Sequence, residues 1–401
     1  MAFIREHRAA GGKVILATGT DEAVARDVAA HLGLFDVVLA SDGARNLTGA
    51  VKAAALADRC PGGYAYIGND RADLPVWAGA RVIHAAGVSG ALRRKLKATG
   101  RLGKVFSDDT VAWQALLRAL RPHQWVKNLL VFVPLFTSHR WRELSVFERG
   151  LGGFALMCLL ASSAYLLNDL ADLENDRVHP EKRHRPLAAG LVHAARAGAI
   201  ALVLLAAGLA AALTFGLPFT GLLLVYFFGT LAYSSVLKSI VLADVFTLAG
   251  LYTLRLLIGG AATGIPISSW LLAFAGFYFL SLAFVKRHAE LHRRPNSVGT
   301  PLPGRGYVPA DLEHIAPAGI AGGYVAVLVF ALYVNSPEVT ALYRQPQVLW
   351  LCCPVLLYWH SRIWLLATRG ALDSDPVIFA LKDRVSYLLG LALLLLVQLA
   401  R

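Results

Sequence analysis

The sequence predicts an all-α polytopic membrane protein of about nine membrane-spanning helices, preceded by a small, incomplete α/β domain. Three observations predict it. The 401 residues are 56% hydrophobic and only 16% charged. Apolar residues gather in blocks such as "AIALVLLAAGLAAALTFGL" and "YLLGLALLLLVQLA", which approach the roughly 20 residues a helix needs to cross a bilayer. The first hundred residues lack such blocks and instead alternate short apolar strands with helical stretches, the pattern of a parallel sheet.

Within residues 1–100, "KVILATGT", "FDVVLAS", "GYAYIGND" and "ARVIHAAG" read as strands. "DEAVARDVAAHLG" is a helix with Asp21 as its cap and Gly33 as its stop, and "TGAVKAAALADRC" is a second helix. Functional residues of a parallel sheet sit at its carboxyl edge. "RRKLKATGRLGK" (Arg93–Lys104) reads as a basic linker or as a helix lying at the membrane surface, so 101–112 is taken as a linker and 113–401 as the membrane domain. The mixed, soluble-looking start carries no cleavable signal peptide.

From Trp113 onward nine hydrophobic segments are expected, near 126–138, 146–168, 194–214, 217–236, 241–263, 267–285, 314–335, 346–366 and 384–400. The first is short and borrows from the amphipathic "WQALLRALRPHQW" before it. A net charge of +13 would raise nucleic acid as a partner for a soluble protein. Here the bases cluster in loops between apolar runs, where the positive-inside bias places them, and nucleic-acid binding is set aside. That bias puts the N-terminus and the heavily charged loops after the second, sixth and eighth segments in the cytoplasm, in an inner membrane of bacterial type. The four cysteines have no CxxC spacing, so neither a disulfide framework nor a zinc site has support.

The densest charge lies in "NDLADLENDRVHPEKRHRPLAAG", directly after an apolar run. On a continuous helix Asp169, Asp172 and Asp176 fall at i, i+3 and i+7, within about 60° of one another. Three carboxylates on one face repel unless a cation intervenes, and Mg²⁺ takes oxygen ligands that it shares with a substrate's phosphates; Asn168 adds a neutral oxygen. Arg177, Lys182, Arg183 and Arg185 follow at once and suit phosphate oxygens. A solvated loop that merely sets topology would carry the same charge without the helical spacing. Farther on, Asp244 and Arg255 lie three turns apart inside an apolar segment, where an ionisable residue is a functional candidate by default; the alternative is that they neutralise neighbouring helices. Tyr233 and Lys238 precede that segment. In "FVKRHAELHRR", Lys286 and Glu290 have i, i+4 pairing distance and Arg287 continues a basic edge. His288 and His292 share the spacing of a zinc HExxH helix, but the Glu does not follow the first His. "RPHQWVKN" places Arg121, His123, Trp125, Lys127 and Asn128 at a membrane interface, with phosphate binding as a second role.

These residues carry a resemblance. "NDLADLEND" resembles the NDxxDxxxD motif of the UbiA superfamily of membrane prenyltransferases, and "YSSVLK" with Asp244 resembles its second motif region. The likeness covers roughly Trp113 to Arg401. Within that superfamily "RPHQWVKN", "HPEKRHRPLAAG" and "FVKRHAEL" are most similar to the decaprenyl-phosphate phosphoribosyltransferase branch, which moves 5-phosphoribose from phosphoribosyl diphosphate to a polyprenyl phosphate with Mg²⁺. The resemblance implies catalytic roles for Asp169, Asp172 and Asp244, and a metal set of Asn168, Asp169, Asp172 and Asp176. It implies substrate binding by Lys127, Asn128, Arg177, Lys182, Arg183, Arg185, Tyr233, Lys238, Arg255, Lys286 and Arg287. Aromatic prenyltransferases carry a second DxxxD pair, whereas Leu248 stands four residues after Asp244; Lys238 and Arg255 replace that carboxylate here, which suits a donor with an additional phosphate.

The first hundred residues resemble the haloacid dehalogenase superfamily. Thr18 closing "VILAT", Lys52 in "NLTGAVKAAAL" and Asp70 and Asp73 in "IGNDRADLP" match its second, third and fourth motifs. Asn69 stands where an acidic residue is common, and the strand bearing the nucleophilic Asp is missing. Either the sequence is cut short at its N-terminus or the domain is a degenerate remnant, and as it stands it is expected to perform no phosphoaspartyl chemistry. The functional expectation for the whole chain is Mg²⁺-dependent transfer from a diphosphate donor to an isoprenoid lipid acceptor. Phosphoribosyl transfer leads, prenyl transfer to an aromatic or other acceptor is the alternative, and a transporter is a third class. The sequence leaves the oligomeric state open.

Overall fold

The computed structural model describes residues 1–106, 109–293, 304–372 and 375–401. Two of the residues expected as linker, 107 and 108, and the middle of the basic loop at 294–303 lie outside the described residues. Contacts divide the chain into two units, Met1–Ala112 and Trp113–Arg401.

The first unit is α/β. Its order is α1 (Ala2–Ala9), β1 (Ile15–Asp21), α2 (Glu22–Leu32), β2 (Val37–Ser41), α3 (Gly49–Arg59), β3 (Ala65–Gly68), α4 (Leu74–Gly79), β4 (Val82–Ala86), α5 (Gly90–Lys97) and β5 (Leu102–Phe106). β1 pairs with β2, and β3, β4 and β5 form a second set in that order, all parallel. The Asp21 carboxylate accepts the Ala23 N–H at 2.9 Å and starts α2, while Gly33 at φ 61° stops it. Trp77, Ile83, Ala85, Leu92 and Leu96 form the core beneath β4. The expected boundary at residue 100 needs correction, because Leu102–Phe106 is a fifth strand paired with β4 and not a linker. It is an edge strand whose Gly103 and Lys104 face solvent, so it lacks the apolar run that marks a buried strand.

The second unit begins within α6 (Asp109–Ala119) and is otherwise helical: α7 (Leu144–Ala171), α8 (Ala194–Ala212), α9 (Leu217–Ser235), α10 (Ala243–Thr263), α11 (Ser269–His292), α12 (Leu312–Val334), α13 (Cys352–Thr368) and α14 (Arg384–Ala400). With their flanking turns, seven of these, α7 to α13, are long and apolar enough to span a bilayer. Among the described residues seven helices meet that length, and the expected count of nine is not confirmed. The first expected segment is a 3₁₀ stretch, Pro122–Phe132, followed by a single short helix, Val133–Thr137. The last, α14, is a shorter apolar helix of 17 residues, at the lower end of the roughly 17–25 that a spanning helix uses. Large apolar side chains such as Leu202, Phe228, Leu328 and Leu394 are exposed on the helices, as lipid-facing residues must be.

The 3₁₀ stretch packs against α10 most closely at Gly259. A Cβ at Gly259 would sit 2.1 Å from the Val131 carbonyl oxygen and 2.8 Å from its carbon. That close approach puts Asn128 beside Arg255 on α10. The variant Gly259→Ala is expected to force the two backbones apart at a cost of about 1–3 kcal/mol, read as a lower melting temperature in detergent micelles. An unchanged melting temperature would show that the stretch can move freely.

Candidate functional site

α7 ends in acid. The helix closes at Ala171, Asp172 is its C-cap, and a short turn of helix resumes at Leu173–Val178. Carboxylates at a helix C-terminus face the negative end of its dipole, so they require nearby cations. Two arrive from separate segments. Arg121, in the left-handed region at φ 54° just before the 3₁₀ stretch, places its Nη2 2.5 Å from Asp169 Oδ1. Its guanidinium also lies over the Tyr165 ring, 5.2 Å from the centroid. Arg185 Nη1 lies 2.6 Å from Asp176 Oδ2 and 3.2 Å from Asp169 Oδ1, tying the two carboxylates together. Both acids are buried, at 3% and 2% exposure, and among the described residues each keeps one oxygen with no hydrogen-bond partner: Oδ2 of Asp169 and Oδ1 of Asp176.

The expected four-ligand metal set is not assembled. Asp172, at the break, pairs with Lys238 at 3.8 Å, and the Asn168 amide donates to Ser234 Oγ on α9 at 2.9 Å. Among the described residues no three His, Cys, Asp or Glu side chains stand close enough to hold a metal. Asp169 and Asp176 nevertheless fit a divalent cation. Mg²⁺ is commonly held by one or two carboxylates with substrate phosphates completing its shell, and here two buried carboxylates, each with an oxygen that accepts no hydrogen bond among the described residues, share one guanidinium in a cation's place. Of the basic block, Lys182 (3.9 Å from Asp176 Oδ1) and Arg185 turn toward the acids. Arg177 and Arg183 are exposed and stand apart.

A second cluster forms around Asp375, whose role was invisible in sequence. Its Oδ2 accepts from Lys127 Nζ at 2.8 Å and Lys286 Nζ at 3.3 Å, and Tyr252 donates to Oδ1 at 3.4 Å. Lys286 therefore pairs with Asp375 and not with Glu290, which is taken by Arg287. Burial alone would raise the Asp375 carboxyl, but Lys286 and Lys127 outweigh it and hold it down at about 2. With a folded value below the ordinary range, its stabilisation is complete above that range and lost as pH falls toward about 2. The pair should contribute about 2 kcal/mol at neutral pH. The stability difference between the wild type and Asp375→Asn is expected to be full at pH 6, to shrink as pH falls through the acid range and to vanish only below about pH 2; a constant difference would contradict the coupling.

Asp244 and Arg255 occupy different networks despite sharing a helix face, since eleven residues at ~1.5 Å separate them along the axis. Asp244 is fully buried. Its Oδ2 lies 2.5 Å from Arg287 Nη2, and the Tyr307 hydroxyl donates to its Oδ1 at 2.6 Å. Tyr307 oxygen in turn accepts the N–H of Leu242, which holds a positive φ of 64° at the start of α10. Arg287, also fully buried, pairs with Glu290 as well. Arg305 sits 3.9 Å from Asp244 and donates to the Tyr233 hydroxyl at 3.1 Å. Arg255 donates from Nε to Asn128 at 3.1 Å and from Nη2 to the Tyr226 hydroxyl at 2.9 Å. Asn128 is 1% exposed and its amide reaches Cys158. Asp244, Arg287 and Asn128 are thus withdrawn from any surface, and the structure presents them as internal partners. His288 and His292 stack on each other with centroids 5.9 Å apart.

In the first unit, Lys52 donates to Asp73 Oδ1 at 3.3 Å, Tyr66 to the same oxygen at 2.9 Å, and the Asn69 N–H to Oδ2 at 3.0 Å. Burial would raise the Asp73 carboxyl, but the Asn69 N–H, the Tyr66 hydroxyl and Lys52 together hold it below its ordinary value. Asp70 is exposed and caps the turn that follows, and Thr18 bonds to Thr20 along β1.

Residues 131–369 match the UbiA prenyltransferase family. The chain belongs to that family. A UbiA homologue from Archaeoglobus fulgidus, solved bound to DMAPP and Mg²⁺, superposes with a TM-score of 0.52 at 17% identity, over 71% of this chain and 99% of that one. This UbiA-family fold and its seven apolar helices make the chain an integral membrane protein and a transferase. It is 37% identical to the uncharacterized protein y4nM of Sinorhizobium fredii over 97% of this chain and 76% of that protein. It is 38% identical to decaprenyl-phosphate phosphoribosyltransferase of Mycobacterium tuberculosis, over 44% of this chain and 60% of that enzyme.

Proposed function

We propose that this UbiA-family protein transfers 5-phosphoribose from phosphoribosyl diphosphate to a polyprenyl phosphate. The observation that carries the reading is the pair of buried carboxylates, Asp169 and Asp176, held by Arg121, Arg185 and Lys182, with one oxygen of each accepting no hydrogen bond among the described residues. Asp169 and Asp176 would hold Mg²⁺, with Asp172 at the margin. When bound, that ion neutralises charge on a diphosphate leaving group. Arg185, Lys182 and Arg121, which stand beside these acids, would add stabilisation of the same charge at the phosphate oxygens. Lys238, beside Asp172, adds a further cation to this rim. Lys127 and Lys286 give a second basic cluster around Asp375, suited to an additional phosphate on the donor. The acceptor phosphate is already anionic near neutral pH, so its attack on the sugar C1 needs no strong general base. The likeness to decaprenyl-phosphate phosphoribosyltransferase supports this donor.

Prenyl transfer is the second reading, favoured by the fold shared with the homologue that binds DMAPP. The site loops and the N-terminus are proposed to face the cytoplasm, following the bias of Lys and Arg among the loops. For the first unit we keep the haloacid dehalogenase likeness as a proposal resting on the Lys52–Asp73 pair beside Asp70 and Thr18. Membranes containing the protein, incubated separately with labelled phosphoribosyl diphosphate and labelled prenyl diphosphate, test the main reading. Label should enter the lipid fraction from the first donor, with Mg²⁺, in the presence of polyprenyl phosphate. Incorporation from the prenyl donor alone would overturn it.

A further inference from the structure

The first unit carries a basic surface that the transfer reaction does not use. Ser89 caps α5, its hydroxyl oxygen accepting the Leu92 N–H at 3.3 Å, and Leu92 and Leu96 are buried against β4 and its neighbours. Helical spacing then leaves Arg93, Arg94, Lys95 and Lys97 exposed. Among the described residues the ion pairs of this unit, Arg8–Asp36, Arg26–Glu22 and Lys52–Asp73, all lie elsewhere. No Asp or Glu occurs between Asp73 and Asp108, so no acid in this stretch offsets the four cations. Neighbouring bases are otherwise engaged: Arg101 donates to the Ala78 and Ala80 carbonyls, and Lys104 lies over the Phe3 ring at 4.6 Å. Beside α5 opens a concavity of about 550 Å³, lined by Arg93, Arg94 and Lys97 with Gly100, Gly103 and Val105.

We propose that α5 and this concavity bind the headgroups of anionic phospholipids in the membrane that holds the second unit. Exposed cations with no ion pair among the described residues complement a negatively charged bilayer surface. The covalent tether supplies a high effective concentration of that surface, since α5 ends only a short length of chain before Trp113. The apolar face of α5 is already buried in its own unit, so the contact is electrostatic and the helix does not insert. Single-stranded nucleic acid fits less well, because the stretch from Gly87 to Val105 contains no aromatic residue for base stacking.

The test uses the full chain reconstituted in phosphatidylcholine vesicles, with and without roughly one third phosphatidylglycerol. Amide hydrogen exchange across residues 90–106 is the readout. Exchange is expected to slow by about fivefold or more in the anionic vesicles at low salt and to recover at about 0.5 M salt, where charges are screened beyond ~4 Å. A variant with Gln at positions 93, 94, 95 and 97 should lose the difference while keeping transfer activity. Equal exchange in neutral and anionic vesicles would overturn the proposal. So would protection in neutral vesicles by polyuridylate or by millimolar inorganic phosphate, since the partner would then be nucleic acid or a soluble phosphate.

Discussion

Asp169→Ala is expected to reduce transfer by at least about a hundredfold, the scale seen when a group stabilising transition-state charge is removed. Asp169 is where the segments of the site meet: α7 supplies the carboxylate, Arg121 approaches from before the 3₁₀ stretch, and Arg185 from the loop after the acidic turn. Its loss removes one proposed oxygen ligand and leaves two guanidiniums without the anion between them. Asp176→Ala should approach the same loss, since Asp176 holds Arg185 at 2.6 Å and is equally buried. Asp172→Ala should cost less, because Asp172 is part-exposed and touches only Lys238, at 3.8 Å, among the ion pairs of the described residues. Binding of the diphosphate donor as a function of Mg²⁺ separates a lost ligand from a damaged fold. In the Asp169 variant the Mg²⁺ dependence of binding should vanish at unchanged melting behaviour of the remaining helices. Mg²⁺-dependent transfer within about threefold of wild type would end the assignment, whatever the donor.

That ranking differs from the order the helical spacing implied, and the reason is physical. Spacing of i, i+3 and i+7 places three aspartates on one face only if the helix continues, and α7 ends at Ala171. What remained legible was everything encoded within one short stretch: the apolar run, the acids at its end and the bases that return to them. The apolar blocks likewise announced a polytopic helical protein. Asp375 was not legible as a site residue, because it stands 248 residues from Lys127 and only the packing of the loop before α14 brings them together. Arg305 and Tyr307 were missed for the same reason, reaching Asp244 from the loop before α12. β5 was hidden by its exposed Gly and Lys. The first apolar segment was misjudged because hydropathy is blind to backbone geometry: Pro122 starts a 3₁₀ run, and Gly259 lets that run press against α10.

Asp244 invites a sharper experiment, because two roles for it predict opposite results. As a metal ligand it would need an oxygen facing the donor; the structure instead buries it against an equally buried Arg287. Removing one partner of such a pair leaves an uncompensated charge, and Asp244→Ala or Arg287→Met should each cost about 3–5 kcal/mol. Both variants are therefore expected to give little folded protein, read as yield and melting temperature in micelles, and their inactivity alone would decide nothing. The double variant Asp244→Leu/Arg287→Met removes both charges and fills the space with apolar atoms, which is often neutral or stabilising. It should recover most of the lost stability, and the coupling measured across the cycle should exceed about 1 kcal/mol. Tyr307 and Glu290 would keep weaker partners, so recovery falls short of complete. If Asp244 only positions α10 against α11, the folded double variant transfers the group at a rate far above that of Asp169→Ala. A double variant that melts like wild type yet is as inactive as Asp169→Ala would instead make Asp244 part of the chemistry and require the buried pair to open when the donor binds.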